Sequence, residues 1–406
     1  MRETVVKTWP LFFGLAMMMI ANGLQGTLLG VRAGLEDFSV LTTGFIMSAY
    51  YIGFLYGSYK IPYFISSVGH IRVFAALASL ASTTVLIHGV IVDPLAWIIV
   101  RALTGFAYAG LFLVVESWLN DASTNQSRGK IMGIYMVVTY VGMAIGQGLL
   151  NVADPSDIQL FVITSVLVSL ALLPISLSAR PAPDFSVAET IKISTIWKRS
   201  PLGLFGVMLT GVTSAIIFSI GPVFAQQLGL SNFAISGFMA SFLIGSVMCQ
   251  MPVAWISDHM DRRKMIVILA SLSAIFSLPL FFAPVIPTYL MFIVMAILGA
   301  ACLPIYGQCI SHVNDHLSPK QFVASSGTLL LVNGAGAAVG PISVTIFMQA
   351  FGANAFTFTI IFGFLATATF GIYRAFKVKP VPIEDQGNTI LMPARGSSAA
   401  IYSEDE

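Results

Sequence analysis

The chain has 406 residues, 57% hydrophobic and only 9% charged, with 20 Lys and Arg against 18 Asp and Glu and a net charge of +2. A soluble domain carries roughly a quarter of its residues charged, so this composition excludes a soluble globule. Its apolar runs are about 20 residues long, enough for a helix to cross roughly 30 Å of hydrocarbon, and they lack the alternation of barrel strands.

Twelve such runs follow in chain order: 8–30, 41–63, 71–92, 95–117, 130–152, 158–178, 202–226, 232–256, 265–285, 288–311, 321–350 and 354–376. The first follows Arg2 and Lys7, but it exceeds a signal-peptide core and eleven more spans follow it, so it is expected to stay as the first helix. The eleventh is long enough to tilt or to extend beyond the lipid. With the N-terminus threaded into the cytoplasm, 18 of the 20 Lys and Arg fall at the inner side, Arg32 falls outside, and Arg101 lies within a span. That asymmetry is what the positive-inside rule requires, and it makes the basic residues topological, so no nucleic-acid partner is expected.

An internal repeat organises the runs. Residues 99–121 lie over 293–315 at an offset of 194, with identities at Ile99, Val100, Ala102, Gly105, Ala107, Ser117, Asn120 and Asp121. The same offset carries Gly142 and Gly146 onto Gly336 and Gly340, and an offset of 192 carries Met47, Ile52 and Gly53 onto Met239, Ile244 and Gly245. The fold class is therefore all-α integral membrane: twelve transmembrane helices in two parallel six-helix repeats, residues 1–179 and 201–376, joined by a cytoplasmic linker, 180–200. The tail, 377–406, has a composition expected to be disordered.

The motifs resemble those of the major facilitator superfamily. PVAWISDHMDRRK, residues 252–264, is similar to the motif that family repeats between its second and third and its eighth and ninth helices. The resemblance implies that Asp258, Arg262 and Arg263 latch the two halves at the inner side. The first-half counterpart, PYFISSVGHIR, keeps Gly69 and Arg72 but has Ser66 and Ser67 where an acid and a base are usual. Arg101 four residues before Gly105, and GMAIGQG over 142–148, resemble the family's fourth- and fifth-helix patterns, with Gln147 where proton-linked exporters carry proline. The eleventh run keeps Gly340-Pro341, and YYIGFLYGS, VGHIRVFA and ESWLND resemble the bacterial YcaD-like branch.

Arg101 and Glu116 are charges that lipid does not tolerate, so each must face protein or water. Fifteen residues separate them, about 22 Å along a helix, and each therefore needs its own partner. For Glu116 the alternatives are a latch to His70 or Arg72 and a proton that is bound and released. For Arg101 they are a counter-charge for an anionic substrate and a brace between helices. Asn22, Gln25 and Arg32 share one face of the first helix and are cavity candidates, with interhelical hydrogen bonding as the alternative. Tyr50, Tyr51, Gln147, Gln226, Tyr306, Gln308 and Asn333 are weaker cavity candidates, and Gly105, Gly142, Gly146, Gly336, Gly340 and Pro341 are read as helix-packing positions.

Cys249, Cys302 and Cys309 read as small apolar residues, and no metal or cofactor is expected. No nucleotide loop and no catalytic set is present in the sequence, so no enzyme is expected. The expectation is a secondary transporter in the inner membrane, moving a small organic solute by alternating access as a monomer. A proton is the candidate coupling ion, and export is favoured over uptake. The competing reading is a non-transporting membrane sensor or scaffold with the same fold.

Overall fold

The computed structural model describes residues 2–123, 128–176, 191–318, 321–387 and 389–390, without the side chains of 2–7, 128 and 323. Among them there are helices and no strand, and twelve helical stretches are long and apolar enough to cross a membrane. The first half comprises α1 (Arg2–Leu35), α2 (Val40–Val68), α3 (His70–Val90), α4 (Pro94–Asp121), α5 (Arg128–Leu149) and α6 (Gln159–Ser176). A short linker helix, α7 (Ile193–Arg199), leads into the second half. That half comprises α8 (Pro201–Gln227), α9 (Asn232–Ser257), α10 (Arg262–Ser277), α11 (Thr288–Cys302), α12 (Pro304–Asn314), α13 (Phe322–Phe351) and α14 (Asn354–Lys377).

Local chemistry sets the helix ends. Ser39, Asp93 and Ser231 accept from the amides of Thr42, Ala96 and Ala234 at 3.0, 2.8 and 3.3 Å, capping α2, α4 and α9. Pro94 occupies the first turn of α4, where its missing N–H costs nothing. Gly69 turns the chain from α2 into α3 at φ 88°, a region that other residues enter only with strain. The tenth predicted run forms two helices, because Pro304 has no N–H to continue the ladder of α11.

An even number of spans puts both chain ends on one side of the bundle, called here the terminal end; the opposite side is the far end. Each half is held by close helix crossings at glycine. A Cβ on Gly105 would overlap the carbonyl of Tyr50 and one on Gly53 that of Ala102, so α2 and α4 touch backbone to backbone. Their repeat partners do the same: Gly299 against Phe242 and Gly245 against Ala296 join α9 to α11. Gly142 and Gly146 meet α1 at Met19 and Ile20, and Gly336 and Gly340 meet α8 at Met208 and Val212. Close approach of this kind gives helices in lipid the dispersion contact that drives their association. Pro341 lies inside α13, where its carbonyl accepts from Thr345 Oγ1 at 2.8 Å.

Between the halves, α2 packs on α13, α5 on α9 and α1 on α8. At the far end these contacts form a seal. Gln226 Nε2 donates to the carbonyl of Val31 at 3.0 Å, and Asn151 Nδ2 donates to Ser236 Oγ at 2.8 Å. Gly34 lies under the Gln226 amide, and Gly44 packs on Thr345 and Pro341.

Candidate functional site

The polar centre of the first half is built on Tyr50. The Arg101 guanidinium sits over its ring, 4.6 Å from the centroid, and Asn22 Nδ2 donates to its hydroxyl at 3.3 Å. Three helices, α1, α2 and α4, thus converge on one phenol. Arg101 is 6% exposed, so the desolvated charge gains about 2 kcal/mol from the aromatic face. One turn beyond Asn22, Gln25 is 1% exposed, and neither atom of its amide has a hydrogen-bond partner among the described residues. An unsatisfied buried amide costs roughly 1–3 kcal/mol, which makes it an open polar group at the site.

The cluster adjoins the interface between the halves. The ring of Tyr51 meets that of Tyr50 edge-on at 5.4 Å, and its hydroxyl lies 3.2 Å from Ser219 Oγ of α8. Tyr51 also lines a small cavity of about 20 Å³ with Phe54, Ser214, Phe218, Asn333 and Gly334, drawn from α2, α8 and α13. Asn333 is held there by a bond from its Nδ2 to the carbonyl of Val207 at 3.0 Å.

Three other cavity candidates lie elsewhere. Gln147 bonds Thr27 and the Gly23 carbonyl, the latter at 3.0 Å, and so braces α5 to α1. Arg32 donates to the Pro155 carbonyl at 3.1 Å and pairs with Glu36 at 2.6 Å, a far-end brace within the first half. Gln226 belongs to the far-end seal. Each amide or guanidinium is used on backbone carbonyls near its own helix end, where interhelical contact satisfies it.

Glu116 is 3% exposed and accepts a hydrogen bond from Tyr135 of α5 at 2.7 Å. The described bonds of the 70–72 segment, where the latch is one of the two expectations, run to other residues. His70 Nε2 lies 2.8 Å from Ser117 Oγ, its ring stacks on Trp118, and Arg72 is exposed. One helical step separates Ser117 from Glu116, so the imidazole faces the neighbouring position while the carboxylate turns toward α5. His88, in α3, donates from Nδ1 to the Thr84 carbonyl at 2.7 Å.

The expected latch at Asp258, Arg262 and Arg263 also differs. The described partners of these residues lie within the second half and the chain that follows it, not in the first half. Arg262 pairs with Asp315 at 3.1 Å and donates to the carbonyl of Gly387, while Asp258 accepts from the Thr389 amide at 2.8 Å. The Arg263 guanidinium donates twice to Asp261 and once to the Val378 carbonyl, the last at 2.6 Å, and the Arg263 amide adds a third bond to Asp261. The Ile390 amide donates to Ser311 Oγ at 2.9 Å, and Ile390 itself is 7% exposed. Residues 378–387 with 389–390 therefore form a strap across the terminal end, correcting the expected disorder of these residues; residues 388 and 391–406 lie outside the described residues. Burial pushes the Asp261 carboxyl up, and its bonds to Arg263 more than offset that, leaving it below the ordinary value. Burial holds Asp315 above the ordinary value, with Arg262 pulling the other way.

Tyr135, Tyr108 and the strap were not among the sequence candidates. Tyr108 follows Arg101 by two turns on the same face of α4, and its ring lies 6.3 Å from that of Tyr50, a spacing that the sequence does display. Nothing in the sequence singles out Tyr135.

Twelve spans in two like halves, with a polar centre beside their shared interface, define a membrane transporter. The model of the Major Facilitator Superfamily matches residues 11–245 and 203–395, and the chain belongs to that superfamily. An uncharacterized MFS-type transporter YcaD of Escherichia fergusonii is 24% identical over 352 residues, covering 85% of this chain and 89% of that one. An uncharacterized MFS-type transporter of Yersinia pestis is 25% identical over 349 residues, with the same coverage. Among solved structures, the nucleoside transporter NupG matches with a TM-score of 0.72 at 16% identity, over 91% of this chain and 98% of that one. A bacterial homolog of the human lysosomal transporter Spinster, inward-facing and occupied, matches at 0.75 and 14% identity over 93% and 97%. These two likenesses show the fold.

Proposed function

We propose that the protein is a secondary transporter that moves a small organic solute bearing an acidic group, by rocking its two halves about the Tyr50–Arg101 centre. The observation that carries this reading is the buried Arg101 on Tyr50, together with the Gln25 amide, one turn along α1 from the Asn22 that bonds Tyr50, with both ends open. A fixed cation plus an unsatisfied donor and acceptor suits a carboxylate or phosphate attached to a polar organic body. Asn22 and Tyr50 orient the cation, and Asn333 faces the solute from the second half. The chain lies in the bacterial inner membrane with both termini cytoplasmic, works as a monomer, and is sealed on the periplasmic side in this state. Glu116, a carboxylate only 3% exposed within a span that accepts a hydrogen bond from Tyr135, is read as the proton site, and export is the favoured direction.

The test is a thermal-shift screen of the purified protein against organic acids and their neutral amides, at pH 5.5 and 7.5. Acids are expected to stabilise the wild type and not Arg101→Ala, while the amides do neither. Equal stabilisation of both proteins by the same acids would make Arg101 a brace and remove it from the site. Loss of the pH dependence in Glu116→Gln is the expected signature of the proton site.

A further inference from the structure

A second cavity, of about 30 Å³, lies at the terminal end of the second half, far from the Tyr50–Arg101 centre. It opens between α7, α10, α12, α14 and the strap. Five cations, Arg199, Arg262, Arg263, Arg374 and Lys379, face two carboxylates, Asp261 and Asp315. The two carboxylates are already paired, Asp261 with Arg263 and Asp315 with Arg262. Arg374 and Lys379 have no described ion pair or hydrogen bond from their side chains, and Arg199 has only a long contact to Gln321 Oε1 at 3.4 Å. The transporter reading gives this excess of positive charge no task.

The depth and the flank of the cavity indicate what it holds. α8 begins and α14 ends beside it, so the cations stand where the apolar spans stop. Next to them runs an aromatic shelf. Trp197 of α7 stacks on Phe370 of α14 at 6.3 Å and 15°, and Phe205 also meets Phe370, at 4.7 Å. Trp197 is 47% exposed and Tyr373 is 54% exposed, as residues facing acyl chains and headgroups are. A soluble anion needs the cations and has no use for the shelf; a phospholipid uses both.

We propose that this crevice binds the phosphate headgroup of an anionic phospholipid, with its acyl chains along Trp197 and Phe370. Arg199, Arg374 and Lys379 hold the phosphate, and the two neutral ion pairs form the floor. Bound lipid then ties the linker helix, the last span and the strap into one unit.

Native mass spectrometry of the full chain, released from mixed phosphatidylglycerol and phosphatidylcholine, tests this. The wild type is expected to retain one phosphatidylglycerol in clear preference to phosphatidylcholine. Arg199→Gln/Arg374→Gln/Lys379→Gln is expected to lose that preference by at least about tenfold, since each basic residue near an anionic surface contributes about fivefold. Lys192→Gln/Lys198→Gln, which removes linker charges that do not line the cavity, keeps the preference, as does the charge-retaining Arg199→Lys/Arg374→Lys. Equal retention of the two lipids by the wild type, or an undiminished preference in the triple variant, would overturn the proposal. Displacement of the retained lipid by inorganic phosphate, where the same concentration of chloride leaves it bound, would also overturn it in favour of a soluble-anion site.

Discussion

Arg101 and Tyr50 show what one buried charge requires. A flat guanidinium covers a ring face, whereas an ammonium presents a compact charge, so Arg101→Lys retains the cation and loses the stacking. Arg101→Lys is expected to lower stability by about 1–2 kcal/mol, read as an earlier melting transition in detergent. Tyr135→Phe removes the described donor to Glu116, and a buried carboxylate left short of a bond costs about 1–3 kcal/mol. Glu116→Gln keeps an acceptor for the same phenol, so it should melt within about 1 kcal/mol of wild type. A Glu116→Gln protein that unfolds as readily as Tyr135→Phe would show that the charge, and not the bond, holds this position. The sequence displayed Arg101 and Glu116 because charges stand out in apolar runs. Their partners were hidden, because Tyr50 and Tyr135 come from other helices and tyrosine in a span has no distinctive spacing.

At the scale of elements, the repeat that the sequence displays corresponds to paired crossings in space. Gly105 and Gly299 each admit a facing carbonyl where a methyl group would collide. Gly105→Ala and Gly299→Ala are each expected to cost about 1–3 kcal/mol, an overpacking penalty measurable as reduced thermal stability. Exposed Gly387, with open space around its Cα, is an element-scale control that should leave stability unchanged on substitution by Ala. The spans were legible to within a few residues, because lipid thickness dictates their length and apolarity. The break at Pro304 was obscured by continuous hydrophobicity on both sides. The strap was obscured for a different reason: PVPIEDQG has the composition of a disordered tail, and its order comes from partners far along the chain. Truncation after Lys377 leaves Arg262, Asp258 and Ser311 without the Gly387, Thr389 and Ile390 backbone, and is expected to lower the melting temperature of the purified protein.

Across the whole molecule, the two halves meet mainly on three helix pairs, and the far end is sealed by neutral hydrogen bonds and glycine contacts. Such bonds contribute about 1 kcal/mol each net, little enough for a bound solute to shift the balance between states. The strap and the Arg262–Asp315 pair bind the terminal end of the second half to itself, which leaves that half free to move as a body. Alternating access through the far end is the central claim, and spin-label distances test it most directly. Labels at Val152→Cys and Phe233→Cys, with Cys249, Cys302 and Cys309 replaced by Ser, flank the Asn151–Ser236 bond across the halves. The account predicts two distance populations, the short one matching the sealed far end, with their ratio shifted by pH or by a stabilising organic acid. A single short distance under every condition would contradict it.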